Sequence, residues 1–167
     1  MTTNNDPHAL FFSGGKDSML ALDRSIRGGR NVAALVTLYD DASQRIRFHG
    51  VPIDLMRAQA EALGIPIALY ATTPSTFEQV YLTALADLRS DGIHGLIFEN
   101  IHLAEVRAWY EERVRPAGLD HLEPLWGGRR RHWRRKLSNE GTKRSSPAPR
   151  TRLLTNIGLV SGSMRLC

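Results

Sequence analysis

The chain has 167 residues, which is enough for one domain with a buried core. It contains a single cysteine, Cys167, so no disulfide can form within the chain and a reducing cytoplasmic environment is expected. No run approaches the roughly 20 apolar residues of a membrane span, and the polar residues 1–7 lack the apolar segment of a signal peptide. We therefore expect a chain that does not act at a membrane.

The net charge of +5 is distributed unevenly. Residues 1–127 carry 11 Lys and Arg against 16 Asp and Glu, a net charge of −5. Residues 128–167 carry 11 basic residues and one acidic residue, Glu140, a net charge of +10. We therefore expect a globular domain over residues 1–127 and a basic tail of low order over residues 128–167.

The first predicted elements are a strand and a helix joined by a glycine-containing loop. Apolar residues 8–12 predict a buried strand, and helical spacing follows at Met19, Leu20, Leu22 and Ile26. Ser13-Gly14-Gly15-Lys16-Asp17-Ser18 lies between them. Glycine allows a sharp turn and a close approach to bare amides, and a helix N-terminus attracts anions. The loop therefore predicts a phosphate site.

Strands and helices alternate along the rest of residues 1–127. Further strands are predicted at residues 32–38, 65–70 and 92–98, with an edge strand at 122–126. Helices are predicted from residue 53 after Pro52, over residues 77–88 with Thr73 or Ser75 as the N-cap, and over 103–114. This alternation predicts an α/β fold: a doubly wound, mostly parallel, Rossmann-like sheet of four to five strands with helices on both faces.

The loop matches neither of the two common nucleotide-binding patterns, G-x-x-x-x-G-K-[ST] and G-x-G-x-x-G. The order Ser-Gly-Gly-Lys-Asp-Ser between strand and helix resembles the pyrophosphate loop (PP-loop) of ATP pyrophosphatases, also called adenine nucleotide α-hydrolases. That resemblance implies cleavage of ATP between the α and β phosphates and transfer of AMP to an acceptor. The alternative is a tight turn with Ser13 as a helix N-cap.

The chemistry at the loop assigns roles to its residues. The amides from Gly14 to Asp17 would hold the departing pyrophosphate, and Lys16 would add positive charge as the bond breaks. Ser13 and Ser18 would donate hydroxyl hydrogen bonds, and Asp17 would bind Mg²⁺. Two alternatives stay open: Lys16 as a solvated residue, and Asp17 as an acidic first-turn residue that complements the helix dipole.

Later segments make the resemblance more specific. Residues 47–52 (Arg-Phe-His-Gly-Val-Pro), 59–66 (Gln-Ala-Glu-Ala-Leu-Gly-Ile-Pro) and 123–127 (Glu-Pro-Leu-Trp-Gly) resemble the diphthine–ammonia ligase family, in the same order along residues 8–127. This resemblance implies that ATP adenylates a carboxylate and that ammonia then displaces AMP. In that family the carboxylate is that of diphthine on elongation factor 2. PP-loop proteins also border adenine with the segment after the second strand, which makes Leu38 and Tyr39 candidates. His49, in the first of these segments, is a candidate for contact with phosphate or acceptor, and His102, near the carboxyl end of the strand at 92–98, is an equal candidate; the alternative for both is a structural histidine.

Two departures from the family bear on activity. Glu99-Asn100 stands where the family usually has Gly-Asp, which alters a segment at the carboxyl end of a strand. After Gly127 the family's acceptor-binding region is missing, and the basic segment follows instead. That segment has three interpretations: a solvated extension, a basic arm that binds RNA through its charge with Trp133 stacking, or an out-of-frame translation. The sequence thus predicts an ATP-dependent C–N ligase, with a weakly active ATP-binding remnant and a polyanion-binding protein as alternatives.

Overall fold

The computed structural model describes residues 5–128 as one six-stranded sheet with helices on both faces. The strands are β1 (Pro7–Phe11), β2 (Asn31–Asp40), β3 (Arg45–Ile46), β4 (Ile67–Thr72), β5 (Gly95–Ile97) and β6 (Asp120–Leu122). The helices are α1 (Lys16–Arg27), α2 (Ile53–Leu63), α3 (Phe77–Ser90) and α4 (Ala104–Val114). The predicted α/β fold is confirmed. The expectations for residues 129–167 fall outside the described residues.

Five strands run parallel in the order β4-β2-β1-β5-β6. The central strands are continuously apolar because each face is covered: Leu35 packs with α1 and α2, whereas Val36 packs with α3 and α4. The chain adds β2 and β4 on one side of β1 and then crosses to β5 on the other side. Such a reversal leaves a crevice at the carboxyl ends of β1 and β5, where ligands bind in open α/β sheets.

Strand β3 was not predicted, and it covers the end of β1. It pairs antiparallel with Tyr39 and Asp40 of β2, while β4 pairs with the same two residues on the opposite edge. Strand β3 must therefore pair with the same edge of β2 that pairs with β1 as far as Val36. The hairpin of residues 41–50 consequently sits over the carboxyl end of β1.

Several predicted boundaries differ from the structure: the strands predicted at residues 65–70 and 92–98 are Ile67–Thr72 and Gly95–Ile97. The edge strand is Asp120–Leu122 and not residues 122–126, because the chain turns after Leu122 and buries Leu125 within that turn. Neither Thr73 nor Ser75 caps α3: the N-cap is Thr76, and no side chain bonds to the helix there. Within the described part of the chain, no helix is long and apolar enough to cross a bilayer.

Candidate functional site

A cleft of about 780 Å³ opens where β1, β2 and β5 end. Its polar part is formed by the loop after β1, the β3 hairpin and the segment after β5. Its other part is aromatic and lies against α3 and α4. The polar and charged side chains are Ser13, Asp17, Thr37, Arg47, His49, Glu99, Asn100, His102 and Glu105, and the aromatic ones are Phe11, Phe12, Phe48, Phe77, Phe98, Trp109 and Tyr110. The cleft therefore lies at the crevice that the strand order creates.

The loop after β1 borders this crevice through Ser13 and Asp17. Gly14 has φ +72°, and a Cβ there would lie 2.6 Å from Gln59 Oε1 and 2.7 Å from Met56 Sδ, so α2 packs directly on a residue that must be glycine. Gly15 is the N-cap of α1, and no side chain caps the helix. The alternative of Ser13 as N-cap is therefore wrong. The first-turn amides of α1 remain available to an anion.

Ser13 connects the loop to the segment after β5. Its hydroxyl donates to Glu99 Oε2 at 2.9 Å and accepts from the Gly15 amide at 3.3 Å. The Ser18 hydroxyl is fully buried and donates to the Gly15 carbonyl at 2.9 Å, so Ser18 holds the loop in shape. Glu99 thereby places a carboxylate beside the loop.

Glu99 is largely enclosed by the cleft wall. Burial raises the pKa of its carboxyl group, against the opposing effects of the Ser13 hydrogen bond and of His49. His49 Nε2 lies 3.7 Å from Glu99 Oε1, so the β3 hairpin reaches across the end of β1 to the segment after β5. Asn100 fixes that segment, because its amide donates to the Leu103 carbonyl at 2.9 Å and accepts from the Leu103 amide at 3.1 Å.

The structure brings some of the predicted site residues together and separates others. Ser13, Asp17, Leu38, His49 and His102 all line the cleft. The other candidates are outside the lining: Gly14, Gly15, Lys16, Ser18 and Tyr39. The Lys16 side chain is 66% exposed outside the cleft lining, with Nζ 3.1 Å from Asp17 Oδ2. Tyr39 packs against the core under α1 and α2, also outside the lining.

Arg47 and the aromatic wall were not predicted as parts of the site. Arg47 was noted only as part of a family motif, and Phe77, Trp109 and Tyr110 only as apolar faces of helices. Their convergence depends on the crossing from β4 to β5 and on the β3 hairpin, for which the sequence carries no local signal. The available indication was that Phe77 begins the helix α3, which follows directly on the carboxyl end of β4.

The residues present fit a magnesium ion bound together with phosphates. Mg²⁺ is usually held by one or two carboxylates, with phosphate oxygens and waters completing the octahedron. Asp17 supplies one such carboxylate in the cleft, in the first turn of α1. Within residues 5–128, no three His, Cys, Asp or Glu side chains are grouped so that they could hold a metal ion by themselves.

Comparisons with known proteins agree with this architecture. A family model described as the diphthamide synthase N-terminal domain matches residues 7–121. Among curated proteins, none matches this sequence.

Solved structures share the fold at low sequence identity. A predicted subunit of tRNA methyltransferase from Methanocaldococcus jannaschii matches with TM-score 0.56 and 19% identity, over 79% of this chain and 75% of that chain. The U34-tRNA thiolase NcsA from Methanococcus maripaludis, solved with its [4Fe-4S] cluster, matches with TM-score 0.51 and 17% identity, over 88% of this chain and 61% of that chain. Such a cluster is held by several cysteines, and this chain has one.

Proposed function

Because the chain belongs to the diphthamide synthase N-terminal domain family, we propose that it binds ATP in the cleft and cleaves it between the α and β phosphates. The observation that supports this most is the N-terminus of α1, which no side chain caps and which follows the Gly14-Gly15 turn, with Ser13 and Asp17 of the same loop lining the cleft. The sequence of that turn is of the PP-loop type and lacks the P-loop pattern that accompanies cleavage between β and γ.

The reaction that fits this family resemblance is amide synthesis. A carboxylate oxygen of the acceptor attacks the α phosphorus, the bond to the bridging oxygen breaks, and pyrophosphate leaves with the electron pair. Ammonia then attacks the acyl carbonyl, AMP leaves, and one proton is released. The overall change converts ATP, a carboxylate and ammonia into AMP, pyrophosphate, an amide and a proton. Diphthine on elongation factor 2, or an analogue of it, is the acceptor that the resemblance suggests.

The chain's own residues would divide this work between binding and charge stabilisation. First-turn amides of α1 would hold the departing pyrophosphate, and Lys16 would leave Asp17 to add its charge. Leu38 would contact the adenine. Magnesium, held by Asp17 with the phosphates, would supply further positive charge on the leaving group.

Calorimetric titration with Mg-ATP tests the binding site. Gly15→Val should abolish binding, because the added side chain would occupy the space that the phosphates need at a turn whose extended φ of −81° tolerates valine. Lys16→Ala should weaken binding by about tenfold, which corresponds to about 1.4 kcal/mol of binding free energy. Arg27→Ala, which removes a basic side chain at the other end of α1, is the matched control and should bind normally. Unchanged affinity in a folded Gly15→Val protein would refute the site.

The products from labelled ATP test the position of cleavage. We expect AMP and pyrophosphate, separated by thin-layer chromatography. ADP and phosphate would contradict the PP-loop assignment even if ATP binds.

The position of Glu99 supports a second candidate, an ATP-binding protein with weak turnover. Its carboxylate accepts a hydrogen bond from Ser13 within the loop, at a position where the related family usually has glycine. Weak turnover predicts stoichiometric ATP binding with little AMP release on addition of ammonia and acceptor. Rapid acceptor-dependent release of AMP would rule this candidate out.

A further inference from the structure

Arg47 presents an unused hydrogen-bond donor in the cleft wall. Its side chain is only 19% exposed, and its Nη1 is buried without a hydrogen-bond partner among the described residues. Asp40 Oδ2 lies 3.8 Å from Nη1, which is too far for a hydrogen bond. The other oxygen of Asp40 is engaged by the Ser43 amide and hydroxyl at 2.9 and 2.7 Å. A buried guanidinium N–H left in this state favours an incoming anion.

Arg47 differs in charge from the acidic side chains that line the cleft. Of the described residues that line the cleft, Arg47 is the single Lys or Arg, whereas Asp17, Glu99 and Glu105 are acidic. The phosphates of ATP have their own binding groups in the amides of the loop. Arg47, on the β3 hairpin, is therefore available for a second anion, and the planar fork of a guanidinium matches a carboxylate.

The surroundings of Arg47 are aromatic. Its guanidinium carbon lies 5.5 Å from the Phe77 ring centroid, and the Phe77 ring lies 5.9 Å from that of Trp109. The Trp109 and Tyr110 rings continue this wall into the cleft, 5.0 Å apart. Rings in such a wall make favourable offset or edge contacts with another flat ring.

The rim of this aromatic region is apolar and open. The Phe48 ring is 84% exposed although it makes an edge contact with Phe77, with centroids 6.0 Å apart. Leu103 and Val106, which also line the cleft, are 53% and 40% exposed. Exposed apolar side chains around a pocket indicate a site that an apolar ligand covers.

From these contacts we propose that the acceptor is an aromatic carboxylic acid, with its carboxylate on Arg47 and its ring against Phe77 and Trp109. The proposal rests on the proposed function, because it names the acceptor in that reaction. Arg47 acts as a binding residue that sets which acceptors enter the cleft.

Two pairs of probes test the proposal without ATP: phenylacetate against phenylacetamide, and indole-3-acetate against indole-3-acetamide. Saturation-transfer NMR and calorimetry on the full chain should show each acid binding at least tenfold more tightly than its amide. Acetate should bind at least tenfold more weakly than phenylacetate, because it lacks the ring. Equal binding of acid and amide, or no binding of either acid, overturns the proposal.

Variants then assign the binding to its residues. Arg47→Gln should remove the preference for acid over amide, and Phe77→Leu should weaken acid and amide together by severalfold. Arg57→Gln, an exposed arginine on α2, is the matched control and should leave both affinities unchanged. The comparison of acid with amide in the unaltered protein needs no variant, so it stands even if Arg47→Gln does not fold.

The outcomes separate this proposal from the proposed function. Normal ATP binding without acid binding removes the acceptor proposal alone. Acid binding without ATP binding removes the proposed function and leaves an aromatic-acid site. If Arg47→Gln weakens ATP and leaves phenylacetate unaffected, Arg47 serves the phosphates and the acceptor proposal is wrong.

Discussion

At the scale of single residues, Glu99 combines a buried carboxylate with a position beside the proposed phosphate site. Its Oε2 accepts from Ser13, which borders the amides that we propose bind phosphate. A carboxylate there repels the phosphates by about 1 kcal/mol at the distances and dielectric of a partly solvated cleft. Glu99→Gln should therefore tighten ATP binding roughly fivefold, measured by calorimetry. Weaker binding would instead identify Glu99 as a required ligand of the magnesium ion.

The same residue makes stability depend on pH. Burial raises the pKa of Glu99 above that of a glutamate in the unfolded chain, so the folded chain holds this proton more tightly. At pH values above the pKa of Glu99 in the folded chain, the buried carboxylate is charged and lowers the free energy of unfolding. Below the pKa of Glu99 in the unfolded chain, about 4.3, the group is protonated in both states and this destabilisation is absent. Glu99→Gln cannot lose that proton. The stability gained by this variant should thus grow as pH rises from 4 to 7 in a series of urea titrations, and a constant difference would contradict the argument.

Two adjacent glycines should respond differently to alanine. Gly14 has φ +72°, and its Cβ would contact Gln59 and Met56 below 3 Å, so Gly14→Ala should lower the free energy of unfolding by about 2–4 kcal/mol. The Cβ of Gly15 would lie 3.3 Å from Ser13 Oγ at an ordinary φ, so Gly15→Ala should cost less than about 1 kcal/mol. Denaturant midpoints of the two variants check this. Equal losses would mean that α2 does not pack on the loop as described.

At the scale of elements, α3 contains a buried hydroxyl that the fold does not use. Tyr81 is 1% exposed, and its hydroxyl has no hydrogen-bond partner among the described residues. Its ring packs against Phe11, Trp109 and Tyr110, which joins α3 to β1 and α4. Tyr81→Phe keeps these contacts and removes the unpaired group, so it should raise the free energy of unfolding by about 1 kcal/mol.

Tyr70 on β4 provides the matched control. Its hydroxyl donates to Asp87 Oδ2 at 3.1 Å, so Tyr70→Phe loses a hydrogen bond and should lower the free energy of unfolding by about 0.5–1 kcal/mol. Urea titrations of both variants give the comparison. Destabilisation by Tyr81→Phe would show that its hydroxyl has a partner in solution, such as a buried water.

The elements also show which parts of the structure the sequence could predict. The helices and parallel strands were predictable because each has a strong local pattern; α2, for example, begins and ends where Pro52 and Gly64 indicated. Strand β3 has two residues, and pairing with β2 alone defines it. The apolar residues around Leu125 suggested a strand, but their burial comes from a turn in which Pro124 provides no amide for a ladder.

The site was predictable to the extent that it is local. The loop from Ser13 to Ser18 is a contiguous motif on one strand–helix junction, so its residues could be identified directly. The contact of Ser13 with Glu99 spans 86 residues, and the approach of Arg47 to Phe77 depends on how the hairpin folds over the sheet. Successive strand residues point to opposite faces of the sheet, and the Tyr39 side chain lies on the face that α1 and α2 cover, away from the cleft.

At the scale of the whole molecule, residues 5–128 close their own core. Leu125 is fully buried, and the Gly127 amide donates to the Ile101 carbonyl at 3.0 Å, which ties the last described turn to the segment after β5. Both apolar layers are complete within these residues: Leu20 and Met56 lie in one, and Leu85 and Leu96 in the other. Removal of residues 129–167 should therefore leave the thermal midpoint within about 2 °C, less than the shift from 1 kcal/mol in a domain of this size.

The same truncation changes the net charge from +5 to −5, because the core contains 16 acidic and 11 basic residues. Any affinity of the full chain for RNA or heparin should then disappear, and in the full chain it should fall steeply with salt. ATP affinity should stay constant or fall slightly, since the cleft contacts belong to the core and only the long-range attraction of the basic segment is lost. Filter binding at 50 and 200 mM salt, with calorimetry on both chains, provides the measurement. A loss of ATP binding on truncation would show that the basic segment completes the nucleotide site, whereas RNA binding by the acidic core would place the polyanion site within the sheet domain.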